Sequence, residues 1–106
     1  MSQRRYRLTS RALSNLDGIA DFIGERDVAA ADRVIETLIG CFARLAENPE
    51  IGTKRDDLRP GLRVFSPPRP AHNYVVVFYE ASFGVEINAV IHGSQDWPEL
   101  VTRWPQ

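Results

Sequence analysis

The sequence predicts an α+β fold: an N-terminal strand, an antiparallel helix hairpin and then a three-stranded antiparallel meander, all strands forming one sheet. Two segments carry apolar residues at three- and four-residue steps on one side only, so the two helices need another layer to cover them. The apolar run from Tyr74 to Tyr79 is typical of a central strand covered on both faces. The sheet would supply that missing layer, giving a two-layer structure.

The first strand is predicted from alternation between Arg4 and Leu8. Tyr6 and Leu8 fall on one face of the strand, and Arg5 and Arg7 fall on the other. We therefore expect Tyr6 and Leu8 to pack into the core. Arg5 and Arg7 should face away from it.

Both helices have recognisable ends. Thr9 or Ser10 can cap the first helix, and Gly24 stands where it stops. Asp27 can cap the second, which ends before Pro49. The first apolar stripe comprises Ala12, Leu13, Leu16, Ile19, Ala20 and Ile23. The second comprises Ala31, Val34, Ile35, Leu38, Phe42 and Leu45. The short connection predicts an antiparallel hairpin.

The meander is expected to start with a strand from Leu62 to Phe65, after a turn at Pro60-Gly61. A proline-rich loop precedes the central strand, since prolines cannot sustain a ladder. In the last strand, one face is expected to pack on the helices and the other to be polar and partly open. The helix-facing set is Val85, Ile87, Ala89 and Ile91, and the open set is Glu86, Asn88, Val90 and His92. Asp96-Trp97-Pro98-Glu99 resembles a helix start.

Length and composition predict one domain over residues 1–106 in the cytoplasm. No apolar run is long enough for a membrane span, no secretory signal is evident, and the single cysteine, Cys41, cannot form an internal disulfide. The net charge of −1 conceals segregation: residues 1–11 carry +4, residues 17–50 carry −5, residues 54–69 carry +3 and residues 80–106 carry −3. A basic face is therefore compatible with the neutral total.

Metal and hydrolase chemistry find no support in the residue spacing. His72 and His92 lie far apart in sequence without helical neighbours that could act as ligands, and Cys41 is expected to be a buried structural cysteine. No serine lies in a nucleophile elbow. We expect no metal site, no cofactor and no catalytic residues.

Three segments in the second half of the chain carry a resemblance to a known family. They are Gly61-Leu62-Arg63, the apolar strand that contains Tyr74 and Tyr79, and His92-Gly93-Ser94-Gln95-Asp96. Their order after a strand and a helix hairpin resembles the RelE/ParE toxin superfamily, and its ParE branch most closely, over residues 4 to about 97. The last segment is similar to an "HG-x-R-D" ending, with Gln95 in place of the arginine.

The resemblance implies the toxin of a type II toxin–antitoxin pair, a non-enzyme that inhibits DNA gyrase and is masked by a cognate antitoxin. An antitoxin strand would pair with the exposed sheet edge left by the N-terminal strand or by the Leu62–Phe65 strand, and an antitoxin helix would fill the groove beside the hairpin. No sequence-specific binding of nucleic acid is expected. The candidate residues for contact with the target or the antitoxin are Arg5, Arg7, Arg63, Tyr74, His92, Gln95, Asp96 and Trp97.

Each candidate also has a structural interpretation. Arg63 can pair with an acid at a strand edge, Tyr74 and His92 can be satisfied core residues, and Trp97 can cap the core. Two other functions remain open: a RelE-type messenger-RNA nuclease and a non-toxic binding module. The nuclease would need charged groups where this chain has Val75, Val76, Ser94 and Gln95.

Overall fold

The structure is a computed structural model that describes residues 4–105, so the first three residues and Gln106 of the expected domain lie outside the described part. Strand β1 (Arg5–Leu8) leads into helices α1 (Ser10–Gly24) and α2 (Val28–Glu47). Within the described residues, a 3₁₀ turn at Pro49–Ile51 follows, and then four strands and a short α-helix: β2 (Thr53–Lys54), β3 (Leu62–Phe65), β4 (Tyr74–Ala81), β5 (Gly84–His92) and α3 (Trp97–Thr102). Within residues 4–105 no helix has the length and apolar character that crossing a membrane requires.

In the described part of the chain, the sheet has five strands in the order β1-β5-β4-β3-β2. Strands β3, β4 and β5 form the predicted antiparallel meander, and β1 adds to β5 in parallel. The sequence did not predict β2, whose Thr53 and Lys54 pair with β3. Strand β3 is therefore not the free edge that was expected, and the outer strands are β1 and β2. Thr53 and Lys54 are both exposed, so β2 has no apolar pattern from which a strand could be predicted.

The helix hairpin has the predicted caps. The Thr9 hydroxyl accepts the Ala12 N–H at 3.1 Å, and the Asp27 carboxylate accepts the Ala30 N–H at 3.0 Å. Both apolar stripes pack against β4 and β5 in a core centred on Leu38, Phe42 and Phe78, all fully buried. Leu13 is the exception, since half of its surface is exposed. It lies about 100° around the helix from buried Ala12, beyond the edge of the stripe.

A β-bulge at Asn88 reverses the alternation of β5. Phe78 pairs with Ile87 and the preceding Val77 pairs with Ala89, so Asn88 is an extra residue in the ladder. Val85, Ile87 and Val90 face the helices, whereas Ala89 and Ile91 belong to a second cluster on the opposite side of the sheet. The expectation that all four of Val85, Ile87, Ala89 and Ile91 share the helix-facing side is wrong, because one inserted residue moves every later side chain to the other face.

The opposite face of the sheet is covered rather than polar and open. Leu62, Val77, Ala89, Ile91 and Val101 are buried together there, and half-buried Leu58, Trp97 and Trp104 surround them. Helix α3, which contributes Val101, is thus a small third layer. Its end is fixed by the Arg59 guanidinium, which donates to the Val101 carbonyl at 3.2 Å and to the Trp104 carbonyl at 2.7 Å.

The junction between β1 and β5 requires glycine at position 84. Gly84 has a φ of +147°, and a Cβ built there would lie 1.9 Å from the Arg5 carbonyl oxygen. The close approach allows the Arg5 N–H to donate to the Phe83 carbonyl at 2.8 Å. Strand β1 is therefore held in register from its first residue.

Candidate functional site

A cleft of about 660 Å³ lies between α1 and the adjoining ends of β4 and β5. It brings together three of the predicted site residues, Tyr74, His92 and Gln95. Helix α1 supplies the facing wall, where Phe22 is 72% exposed. The exposed aromatic ring beside a concave surface makes this cleft the candidate binding site.

The sheet positions Tyr74 and His92 as neighbours. Tyr74 begins β4 and is the strand partner of His92 at the end of β5. Their rings meet edge to face, with centroids 5.3 Å apart and planes at 85°. The Gly93 N–H donates to the Asn73 carbonyl at 2.7 Å, which closes this end of the sheet. The chain then turns back, as the Gln95 N–H donates to the His92 carbonyl at 3.0 Å, so Gln95 reaches the same cleft.

Hydrogen bonds and burial also shape this pair. The Ser94 N–H donates to His92 Nδ1 at 3.1 Å. Burial raises the pKa of the Tyr74 phenol, which therefore remains protonated at neutral pH. Among the described residues, the lining of the cleft contains no carboxylate and no guanidinium. The cleft offers apolar surface and side chains that can form hydrogen bonds, which suits recognition of a partner with apolar and polar groups.

Asn15 is a cleft residue that the sequence analysis missed. Strand β1 ends at Leu8, opposite Ile87, so the next part of β5 has no strand on this side, although β4 pairs with it on the other side. The Asn15 side-chain oxygen accepts the Val90 N–H at 3.0 Å, and the Thr9 hydroxyl donates to the Asn88 carbonyl at 3.0 Å. Helix α1 thus replaces the missing strand. The one sequence feature that could have indicated this role is that Asn15 is a polar residue among the apolar positions of α1.

Arg63 lies apart from the cleft. Its side chain is only 12% exposed, lies 3.7 Å from the Glu80 carboxylate and donates to the Gly52 carbonyl at 3.2 Å. Arg63 is the strand partner of Phe78, which belongs to the helix-side core, so it does not share a face with α3. These contacts match the structural interpretation, in which Arg63 pairs with an acid at a strand edge.

Arg5 and Arg7 are exposed on β1, while Tyr6 and Leu8 pack into the helix-side core, as the alternation predicted. The Arg7 guanidinium carbon lies 4.4 Å from the centroid of the Phe83 ring. Both arginines therefore project on the side of the sheet opposite the hairpin.

Asp96 and Trp97 begin α3. Asp96 is its N-cap, with a carboxylate oxygen 3.5 Å from the Glu99 N–H, and Pro98 occupies the first turn as predicted. Trp97 packs against the second cluster, and the Arg55 guanidinium carbon lies 5.4 Å from its ring centroid. The eight predicted residues thus fall at four places: the cleft, β1, the start of α3 and the half-buried position of Arg63 on β3.

No group of three histidine, cysteine, aspartate or glutamate residues within residues 4–105 is arranged to hold a metal ion.

Cys41 is 3% exposed, and burial raises the pKa of its thiol. The prediction of a buried structural cysteine is confirmed.

Comparison with known proteins identifies a family, a relative in sequence and a similar solved structure. The family model described as "ParE toxin of type II toxin-antitoxin system, parDE" matches residues 6–97. A protein of Sinorhizobium fredii (strain NBRC 101917 / NGR234), named "Putative toxin Y4kP", is 37% identical over 103 residues, which are 95% of this chain and 100% of that protein. A solved structure titled "Chromosomal ParDE TA system from P. aeruginosa" superposes with a TM-score of 0.69 at 18% identity, covering 85% of this chain and 96% of that one. At this identity the third match shows the fold alone.

Proposed function

The chain belongs to the ParE family of toxins from type II toxin–antitoxin systems, and from this we propose that it inhibits DNA gyrase, arrests growth in the cytoplasm and is neutralised by a cognate antitoxin. The observation that carries the proposal is the family match over residues 6–97, which includes the whole cleft and the start of α3. We further propose that residues 1–106 act as one domain.

The antitoxin is proposed to cover the cleft and the adjoining end of the hairpin. Phe22 is 72% and Val28 is 68% exposed, and both lie near the connection between α1 and α2. Asp21, Glu25 and Asp32 surround Val28 in a shallow depression there. A helical antitoxin segment with apolar side chains on one face and basic side chains beside them would match this surface in polarity and in charge.

An extended part of the same antitoxin is proposed to pair with β1. This four-residue strand is bonded to β5 on one side only, whereas the other outer strand, β2, has just two residues. An outer strand with unpaired backbone groups is a template for strand addition. Arg5 and Arg7 would then lie beside the added strand.

The side chains in and near the cleft favour a toxin that acts by binding its target protein over one that cleaves RNA. Val76 is fully buried and Val75 is half-buried in the second cluster, so neither could be replaced by a charge without disturbing the core. Ser94 and Gln95 line a cleft whose described residues include no guanidinium and no carboxylate. Cleavage of a phosphodiester needs charge at the phosphorane and matched proton transfer, which this set of side chains lacks.

Three measurements on the full-length chain test this function. Expression alone should arrest bacterial growth, and co-expression of the neighbouring gene should relieve the arrest. The purified chain should inhibit DNA supercoiling by gyrase and should leave messenger RNA intact in programmed ribosomes. Site-specific cleavage of messenger RNA in the ribosomal A site would contradict the proposed gyrase inhibition and would identify the chain as a RelE-type nuclease. Normal growth at high soluble expression would favour a non-toxic binding module.

A further inference from the structure

Acidic and basic residues are clustered in different segments of this chain. Residues 17–50, which form most of the hairpin, carry eight acids against three arginines. The side of the sheet opposite the hairpin instead presents Arg5 and Arg7 from β1, with Arg11 following in the first turn of α1. We propose that Arg5, Arg7 and Arg11, here called the arginine stripe, bind the phosphate backbone of a nucleic acid duplex without selecting its sequence.

Two aromatic rings hold the stripe in place. The Arg7 guanidinium carbon lies 4.4 Å from the Phe83 ring centroid, and that of Arg11 lies 4.0 Å from the Trp104 ring centroid. Stacking on a ring restricts the long side chain while leaving the N–H groups at the edge of the guanidinium free to donate. These are the groups that form paired hydrogen bonds with phosphate oxygens.

The three guanidinium groups are not neutralised by ion pairs. Among the described residues, the salt bridges involve Arg55, Arg63 and Arg103, and none involves an arginine of the stripe. Glu86 is the strand partner of Arg7 and is the acid beside the stripe, but its carboxylate is 3.4 Å from the Asn88 amide instead. The stripe therefore keeps a net positive charge that a polyanion would compensate.

Spacing and chemistry favour nucleic acid over an acidic protein. Arg5 and Arg7 are two residues apart on an extended strand, a separation of about 6.8 Å. Two guanidinium groups at about this separation can contact neighbouring phosphates of one strand of a duplex. The Phe83 and Trp104 rings are already occupied by guanidinium groups, so bases cannot stack on those faces. The stripe would follow the backbone and ignore the bases.

Fluorescence anisotropy with a labelled DNA duplex tests the stripe without gyrase, so the result is independent of the function proposed above. If three phosphates are contacted, the logarithm of the association constant should fall linearly with the logarithm of the salt concentration. The expected slope is about −2.7 between about 50 and 200 mM salt. Arg5→Gln/Arg7→Gln should reduce that slope by about two and weaken binding about tenfold or more at low salt. The double variant keeps the contact between Arg11 and Trp104, so the C-terminal segment stays docked.

Matched variants make the outcome decisive. Arg26→Gln/Arg33→Gln removes the same charge from exposed positions on the hairpin and should leave the affinity unchanged. Glu86→Gln should strengthen binding, because it removes the acid beside Arg7. Equal affinity for a second DNA sequence and for an RNA duplex would support backbone contact.

Three results would overturn the proposal. They are the absence of salt-dependent binding at low salt, equal weakening by the hairpin control, and discrimination between two DNA sequences. Tighter binding to poly-glutamate than to DNA, lost in the same double variant, would assign the stripe to an acidic protein surface instead.

Discussion

The guanidinium of Arg11 stacks on the indole ring of Trp104, 4.0 Å from the ring centroid. This contact joins the first turn of α1 to a residue beyond the end of α3. Together with the hydrogen bonds from Arg59 to the carbonyls of Val101 and Trp104, it makes the C-terminal segment part of the folded core. A truncation before Trp97 would therefore remove core structure together with any target-binding groups.

Val101→Ala should lower the free energy of unfolding by about 2 kcal/mol, because it removes two methyl groups from a fully buried site and leaves a cavity. Leu100→Ala, at a neighbouring residue that is 39% exposed, should cost under about 1 kcal/mol. Urea denaturation of both variants measures the difference. Equal values would show that α3 is detached from the sheet in solution.

Gly84→Ala should destabilise the protein severely. Backbone strain at a φ of +147° costs about 1–3 kcal/mol, and the new Cβ would also collide with the Arg5 carbonyl oxygen. Gly40→Ala is the matched control, since a Cβ there meets nothing within 4 Å and the residue lies in a helix. The control should stabilise the protein by about 0.5–1 kcal/mol. Thermal unfolding of the two variants should shift the midpoint in opposite directions.

Phe22→Ala should leave stability nearly unchanged, since the side chain is 72% exposed, but should weaken antitoxin binding about thirtyfold if Phe22 is an interface anchor. Leu13→Ala is the control, being half exposed on the same helix and outside the cleft. Titration calorimetry with the purified antitoxin compares the two variants. If Phe22→Ala binds the antitoxin with full affinity, the antitoxin does not use Phe22 and the proposed site at the cleft is wrong.

Arg63→Ala should act mainly on stability, lowering the free energy of unfolding by about 1 kcal/mol through loss of the hydrogen bond to the Gly52 carbonyl. Any loss of growth arrest should then follow the amount of folded protein. Arg5→Ala, at an exposed position, should leave the unfolding midpoint unchanged. Lost gyrase inhibition by a fully folded Arg63→Ala protein would instead identify Arg63 as a contact residue.

Stability should fall as the pH rises above the ordinary pKa of a thiol, about 8.5. Burial raises the pKa of Cys41 in the folded state, so the unfolded chain releases its proton first and is favoured in alkaline solution. Tyr74, whose pKa burial also raises, adds to the same trend at higher pH. In urea denaturation from pH 7 to about pH 9.5, Cys41→Ala should show a smaller decline than the parent chain. An identical decline would show that the Cys41 thiol does not cause it.

The sequence predicted the elements whose signals are local. Thr9 and Asp27 cap the helices, and the apolar run of β4 is central, because capping and periodicity depend on neighbouring residues. The ParE family was likewise recognisable from the order of these elements and from short motifs around Arg63 and His92.

The candidate site was predicted only in part. Tyr74, His92 and Gln95 do meet in one cleft, since the end of one strand lies beside the start of its partner. Asn15 and Phe22, on the opposite wall, come from a helix far away in sequence. Arg63 lies outside the cleft, half-buried and in contact with Gly52 and Glu80, and its role as a contact residue stays a prediction.

The chain by itself determined its helices, its meander and its family, because these follow from residue spacing along a continuous segment. Only the tertiary structure decided which face of β5 each side chain occupies and what covers it. The bulge at Asn88 moves Ala89 and Ile91 away from the helices, and α3 then covers them with Val101. A bulge adds one residue to a ladder without a distinctive composition, and a six-residue helix is stable only through packing. Both features depend on contacts between distant segments, which periodicity along one segment does not encode.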